Sequence, residues 1–183
     1  SGWLTHGKNT SQFEDKFKKY TNSKYAVTVS SCTAALHLSC LALNLKKGDE
    51  VIVPAMSHTA TSHAVEYTGA KAVFVDIDLR TGNIDPEKIV KKINKKTKAI
   101  IIVHMAGLPC QIDLIQKICK KNKIKLIEDC AHSVGSKYNS THLGNFGISG
   151  CFSFYPTKQI TTGEGGMLIT NNRDFYKKIK RLK

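Results

Sequence analysis

Apolar positions along this chain fall into two alternating rhythms. Short runs rich in branched residues read as strands, at Tyr25–Ser30, Glu50–Pro54, Ala72–Asp76, Ala99–His104, Lys125–Glu128, Cys151–Phe154 and Gly166–Thr170. Between most of them lie longer stretches with helical spacing or helix-forming composition, at Cys32–Leu45, Ser57–Tyr67, Asp85–Ile93 and Asp113–Lys121. A helix over Asp174–Leu182 closes the chain. Phe13, Phe17 and Tyr20 repeat at helical spacing near its start, and Ser11 with Glu14 three residues later predicts a capping box there. Pro86 sits at the first position of its helix, and Lys47-Gly48-Asp49 stops the helix before it.

Strands that alternate with helices and read as continuous apolar runs predict an α/β/α three-layer domain with a mostly parallel sheet. Ligands of such sheets bind beyond the carboxyl ends of the strands. Ser31 to Thr33, Ser57-His58, His104, Asp129 and Ser153 to Lys158 all follow predicted strands, so they are expected to meet at one edge. No repeat, low-complexity run or linker divides the 183 residues, and one domain over 1–183 is expected.

Charge changes this picture little. The formal net charge of +14 invites a nucleic-acid reading. The lysines, however, cluster at 91–98, 117–125 and 177–180 on expected polar helix faces and loops, without the interleaved aromatics of a stacking platform. Neither a nucleic-acid surface nor a membrane span is expected, since no apolar run approaches the roughly 18 residues a span needs. Ser1–Gly7 does not read as a secretory leader, and the six cysteines form no C-x-x-C pair. Buried, reduced thiols in a cytoplasmic protein are expected. A zinc site built from His104, Cys110, Cys130 and His132 would lack any recognised ligand spacing.

Lys158 changes it a great deal. It stands after an aromatic strand, Cys151-Phe152-Ser153-Phe154-Tyr155, and before a glycine cluster at 163, 165 and 166, apart from the lysine runs. A lysine whose neutral amine is accessible is a nucleophile toward carbonyls. Pyridoxal phosphate (PLP) asks a protein for such a lysine, a carboxylate at its pyridine nitrogen, donors for its phosphate and a flat group against its ring. Asp129 suits the carboxylate, Thr33 with its neighbouring backbone and Ser153 suit the phosphate, and His58 suits the ring face.

The segments SSCTAALHLSCLAL, GDEVIVPAMSHTATSHAVEYTGAKAVFVDID, NIDPEKI, LIEDCAHSVGS and GCFSFYPTKQITTGEGGMLIT resemble the DegT/DnrJ/EryC1/StrS family over essentially the whole chain. The resemblance implies the large domain of a fold-type-I PLP-dependent aminotransferase. By resemblance Lys158 is the Schiff-base lysine, Asp129 the partner of the ring nitrogen, and Ser153 a phosphate ligand. Cys32 and Thr33 stand where the family commonly has Gly-Thr, and the larger Cys32 is expected to narrow the approach to the phosphate. His132 replaces a Gln near the phenolic oxygen, and His58 replaces a stacking aromatic. The resemblance further implies amino transfer from L-glutamate to a nucleotide-linked keto-sugar, in a homodimer with shared active sites. Family members are about twice as long, so a fragment lacking the C-terminal small domain is expected. Related sugar dehydratases carry His in place of the lysine, which sets Lys158 on the side of transamination. A lyase or dehydratase of the same fold, or a non-catalytic regulator, are the alternatives.

Overall fold

The computed structural model describes residues 7–183; the Ser1–Gly7 stretch considered above lies largely outside them. Nine strands and six helices follow in chain order. They are α1 (Lys8–Thr21), β1 (Tyr25–Val29), α2 (Cys32–Ala42), β2 (Glu50–Pro54), α3 (Ala60–Glu66), β3 (Lys71–Val75), α4 (Pro86–Lys92) and β4 (Thr97–Val103). After a 3-10 turn at Met105–Gly107 come α5 (Ile112–Asn122), β5 (Lys125–Asp129), β6 (Lys137–Tyr138), β7 (Thr141–His142), β8 (Ser149–Ser153), β9 (Gly166–Thr170) and α6 (Arg173–Leu182).

Seven strands form one sheet in the order β1-β9-β8-β5-β4-β2-β3. All run parallel except β9, which pairs antiparallel with both β1 and β8. The mostly parallel, helix-covered sheet expected from the sequence is therefore present. Residue alternation sorts the core onto two faces. Val27, Val51, Val53, Ile101, Ile127, Cys151 and Leu168 pack under α2, α3 and α6. Ile52, Ile100, Ile102 and Leu126 pack under α4 and α5, and Phe152, Met167 and Ile169 pack with Phe17 of α1. All six cysteines are buried and free, and no helix among the described residues is long and apolar enough to cross a membrane.

Three local expectations need correction. Helix α1 starts at Lys8 with Gly7 as its N-cap, so Ser11 lies inside it, donating its N–H to the Gly7 carbonyl at 3.2 Å. Glu14 makes no capping box; its carboxylate instead takes the N–H and hydroxyl of Thr28, both at 2.8 Å, which ties α1 to β1. A tertiary bond to two donors outweighs a local cap. Helix α3 starts at Ala60 rather than Ser57, because the His58 Nδ1 takes the Ala60 N–H at 3.1 Å and holds Ser57-His58 as a strand-to-helix bend. The hairpin β6-β7 was not expected at all; it turns through Asn139 and Ser140, both at positive φ.

Candidate active site

Because every strand of the seven-stranded sheet but β9 points the same way, β1, β2, β5 and β8 deliver their following residues to one edge. Alternation then decides which side chains face the α2–α3 side there. Ile127 and Asp129 do, as do Cys151 and Ser153, while Glu128 and Phe152 face away.

Asp129 ends β5 and is only 5% exposed. Its Oδ1 accepts the Ala131 N–H at 3.1 Å and lies 3.7 Å from the Cys32 thiol. Its Oδ2 accepts the Thr61 hydroxyl at 2.9 Å. A carboxylate has about four lone-pair sites, so Oδ2 keeps a site for one further donor.

The N-terminus of α2 lies beside it. Ser31 caps the helix by accepting the Ala34 N–H at 3.1 Å. Among the described residues the N–H groups of Cys32 and Thr33 find no acceptor, as expected of a first helical turn. These two donors at the positive end of an 11-residue helix suit an anion. Gly166 lets the β1–α2 connection pass this closely: a Cβ there would come within 2.7 Å of the Cys32 nitrogen and 2.5 Å of the Ser31 oxygen. The Cys32 thiol is turned inward, against the Cys151 carbonyl at 3.3 Å. It therefore does not narrow the approach to these N–H groups as the sequence suggested. Burial, with Asp129 beside it, pushes that thiol far above its usual range.

Ser153 ends β8, and its Oγ accepts the Tyr155 N–H at 3.3 Å. Lys158 is half-buried in the turn that follows, its N–H bonded to the Tyr155 carbonyl at 3.0 Å. The loop beyond is strapped down: Thr161 and Thr162 both donate to the Phe154 carbonyl, and Gly163 takes the positive φ its turn requires. His132 is half-buried, with its imidazole held below the ordinary histidine value by burial first and then by the Lys158 charge, Asp129 opposing and His58 adding slightly. Lys158, Asp129 and His58 thus all lie within electrostatic reach of His132. The Lys158 charge also opposes the upward shift of the Cys32 thiol, so it is felt at the α2 N-terminus. His58 is exposed on the rim.

His104 does not join them. It faces the opposite side of the sheet, where Nε2 lies 3.1 Å from Glu128 and Nδ1 accepts the Cys110 N–H at 3.2 Å. Two residues after Ile102, alternation already placed it on that side. His104, Glu128 and Cys130 form the one group among the described residues with metal-like spacing. The ligand atoms of His104 and Glu128 are already engaged: Glu128 accepts the N–H groups of Gly144, Phe146 and Gly147, each at 2.7 Å, besides His104. His104 and Glu128 belong to a structural hydrogen-bond network with the 144–147 loop. Thr61 is the site residue that sequence reasoning missed, because its partner Asp129 lies 68 residues away in the chain.

Comparison with known proteins agrees with this geometry. The model of the DegT/DnrJ/EryC1/StrS aminotransferase family matches residues 1–183. The GDP-perosamine synthase of Escherichia coli O157:H7 is 45% identical over 177 residues, covering 96% of this chain and 49% of that protein. Helicobacter pylori PseC, an aminotransferase involved in the biosynthesis of pseudoaminic acid, superposes with a TM-score of 0.92 at 34% identity, over 98% of this chain and 49% of that one. A GDP-4-keto-6-deoxymannose-3-dehydratase with a trapped PLP-glutamate geminal diamine superposes with a TM-score of 0.90 at 40% identity, over 95% of this chain and 47% of that one. The chain spans about half the length of the curated relatives it matches.

Proposed function

The chain belongs to the DegT/DnrJ/EryC1/StrS aminotransferase family, and on that premise we propose that the whole protein moves an amino group from L-glutamate to a nucleotide-linked keto-sugar with PLP as cofactor. The observation that carries this reading is the pairing, at one sheet edge, of a buried carboxylate with an open lone pair, Asp129, and a primary amine, Lys158.

The residues present fit PLP. Bound there, PLP supplies an aldehyde carbon for primary amines and a protonated ring that draws electrons from the carbon bearing the amine. The free N–H groups of Cys32 and Thr33, with the hydroxyls of Thr33 and Ser153, would hold the phosphate. Asp129 would keep the ring nitrogen protonated by offering it an anionic acceptor. His132 stands on the Asp129 side as a hydrogen-bonding partner for the ring's oxygen, with its imidazole kept largely uncharged at neutral pH by burial. His58 flanks the ring from the rim. Lys158 would supply the primary amine that holds the cofactor's aldehyde carbon and, as a free amine, would serve as the site's proton carrier.

In this reading the chain forms the cofactor-binding large domain, residues 1–183, of a cytoplasmic homodimer. Tyr155 and Ile160, on either side of Lys158, are 47% and 49% exposed. Apolar side chains open beside a reactive lysine suit a site finished by a second subunit and by the part of the longer relatives that this chain does not span. The dehydratase among the structural neighbours marks the competing reading. The full-length protein, given PLP, glutamate and a panel of nucleotide-linked keto-sugars, is expected to release 2-oxoglutarate and an amino-sugar nucleotide in equal amounts, as read by mass spectrometry. A sugar product that has lost water without gaining nitrogen would favour the dehydratase, and activity on simple 2-oxo acids alone would overturn the sugar assignment.

A further inference from the structure

The Asp129 carboxylate does not stand alone. Thr61, 1% exposed, aims its hydroxyl at Oδ2 from 2.9 Å, and the Ser57 hydroxyl lies 2.7 Å from the Thr61 oxygen. Counting hydrogens fixes the direction of this chain. An ionised carboxylate only accepts, so the Thr61 proton goes to Asp129. The Thr61 oxygen then needs a donor, and Ser57 is the neighbour that has one. Ser57 could instead donate to the His58 carbonyl, but that oxygen is farther away, at 3.2 Å. The result is Ser57 donating to Thr61 and Thr61 donating to Asp129. A helical threonine commonly bonds back to the carbonyl four residues earlier; Thr61 spends its one proton on Asp129 instead.

The two carboxylate oxygens are unequally loaded. Oδ1 has the Ala131 N–H and the Cys32 thiol, whereas Oδ2 has Thr61 alone. Oδ2 is therefore the oxygen with room for a further donor, and Thr61 sets which way its remaining lone pair faces. We propose that Thr61 is a positioning residue for the cofactor ring: its hydroxyl, oriented by Ser57, fixes the Asp129 carboxylate so that Oδ2 receives the ring's N–H. This rests on the PLP reading above. The bend at Ser57-His58, which starts α3 late, then has a purpose, since it sets the Ser57 hydroxyl in contact with that of Thr61.

The test uses the full-length protein with PLP and three variants, Thr61→Val, Thr61→Ser and Ser57→Ala. Val keeps the branch and removes the donor; Ser keeps the donor and removes the methyl. Loss of one hydrogen bond to a charged acceptor is expected to weaken PLP binding roughly tenfold in Thr61→Val. It should also move the pH midpoint of the bound cofactor's visible absorbance upward, because a ring less firmly protonated draws fewer electrons from the nitrogen it shares with Lys158. Thr61→Ser should restore the wild-type midpoint, and Ser57→Ala should lie between. A merely structural threonine predicts another pattern: both Thr61 variants lower the thermal midpoint of the cofactor-free protein, and the absorbance midpoint stays put. That result would overturn the role of Thr61 and leave the PLP reading intact. A wild-type protein that binds no PLP would overturn both.

Discussion

Glu128 and Asp129 are neighbours in β5, yet their carboxylates lie on opposite faces of the sheet and do opposite work. Glu128 is sealed against the N–H groups of Gly144, Phe146 and Gly147 and against His104, with no exposed surface. Asp129 takes Thr61 and Ala131 and keeps one lone pair open at the edge where Lys158 and the α2 N-terminus meet. One carboxylate therefore holds the 144–147 loop in place, and its neighbour is free for chemistry.

Glu128→Gln should destabilise the fold. Each carboxylate oxygen now accepts two donors, so an amide turned either way sets its NH2 against donors. The expected cost is about 3 kcal/mol. Equilibrium urea unfolding of the full-length protein at neutral pH measures it; a change within about 0.5 kcal/mol, the usual range for a surface substitution, would contradict the network.

Gly166→Ala should act on the site through the backbone. The added methyl group meets the Ser31 carbonyl and the Cys32 nitrogen, neither of which is a flexible side-chain end. The β1–α2 connection must shift, taking the two free N–H groups with it. Overpacking of this kind costs about 1–3 kcal/mol, and PLP affinity should fall by more than the stability loss alone explains. Fluorescence titration of PLP alongside urea unfolding separates the two effects.

Acid should weaken the folded state through His142 and His132. Burial, the largest cause in both, holds their imidazoles below the ordinary value of 6.5. His142 also donates from Nδ1 to the Leu143 carbonyl and accepts the Gly135 N–H at Nε2, an arrangement only the neutral ring can make. Well above 6.5 the folded and unfolded chains are both neutral at these rings, and they contribute no pH dependence. As pH falls below 6.5 the unfolded chain binds protons first, so unfolding becomes easier until the folded rings titrate too. Urea midpoints should drop across that window, and His142→Gln should flatten the slope.

Much of this was legible in the sequence, for identifiable reasons. Continuous apolar runs such as Ala99–His104 and the placement of Asp129, Ser153 and Lys158 after strands gave the parallel sheet and the edge of the site. Period-two alternation would also have placed His104 on the far face with Ile102, but strand order alone grouped it with the site. The thiol of Cys32 could not be oriented from its spacing, because what turns it inward is the Cys151 carbonyl, 119 residues away in the chain. Thr61 was missed for the same kind of reason: its partner Asp129 is 68 residues distant, and no local pattern records the pair. The capping box at Ser11 and Glu14 was locally well formed and still lost, since Thr28 offered Glu14 two donors.

The central claim is that Lys158 is the amine that holds PLP. Full-length protein saturated with PLP and reduced with borohydride, which fixes the cofactor to whichever lysine bears it, can be digested and mapped by mass spectrometry. The account predicts one modified peptide carrying the cofactor mass on Lys158, and none after Lys158→Ala. Modification of another lysine, or equal labelling in Lys158→Ala, would contradict it.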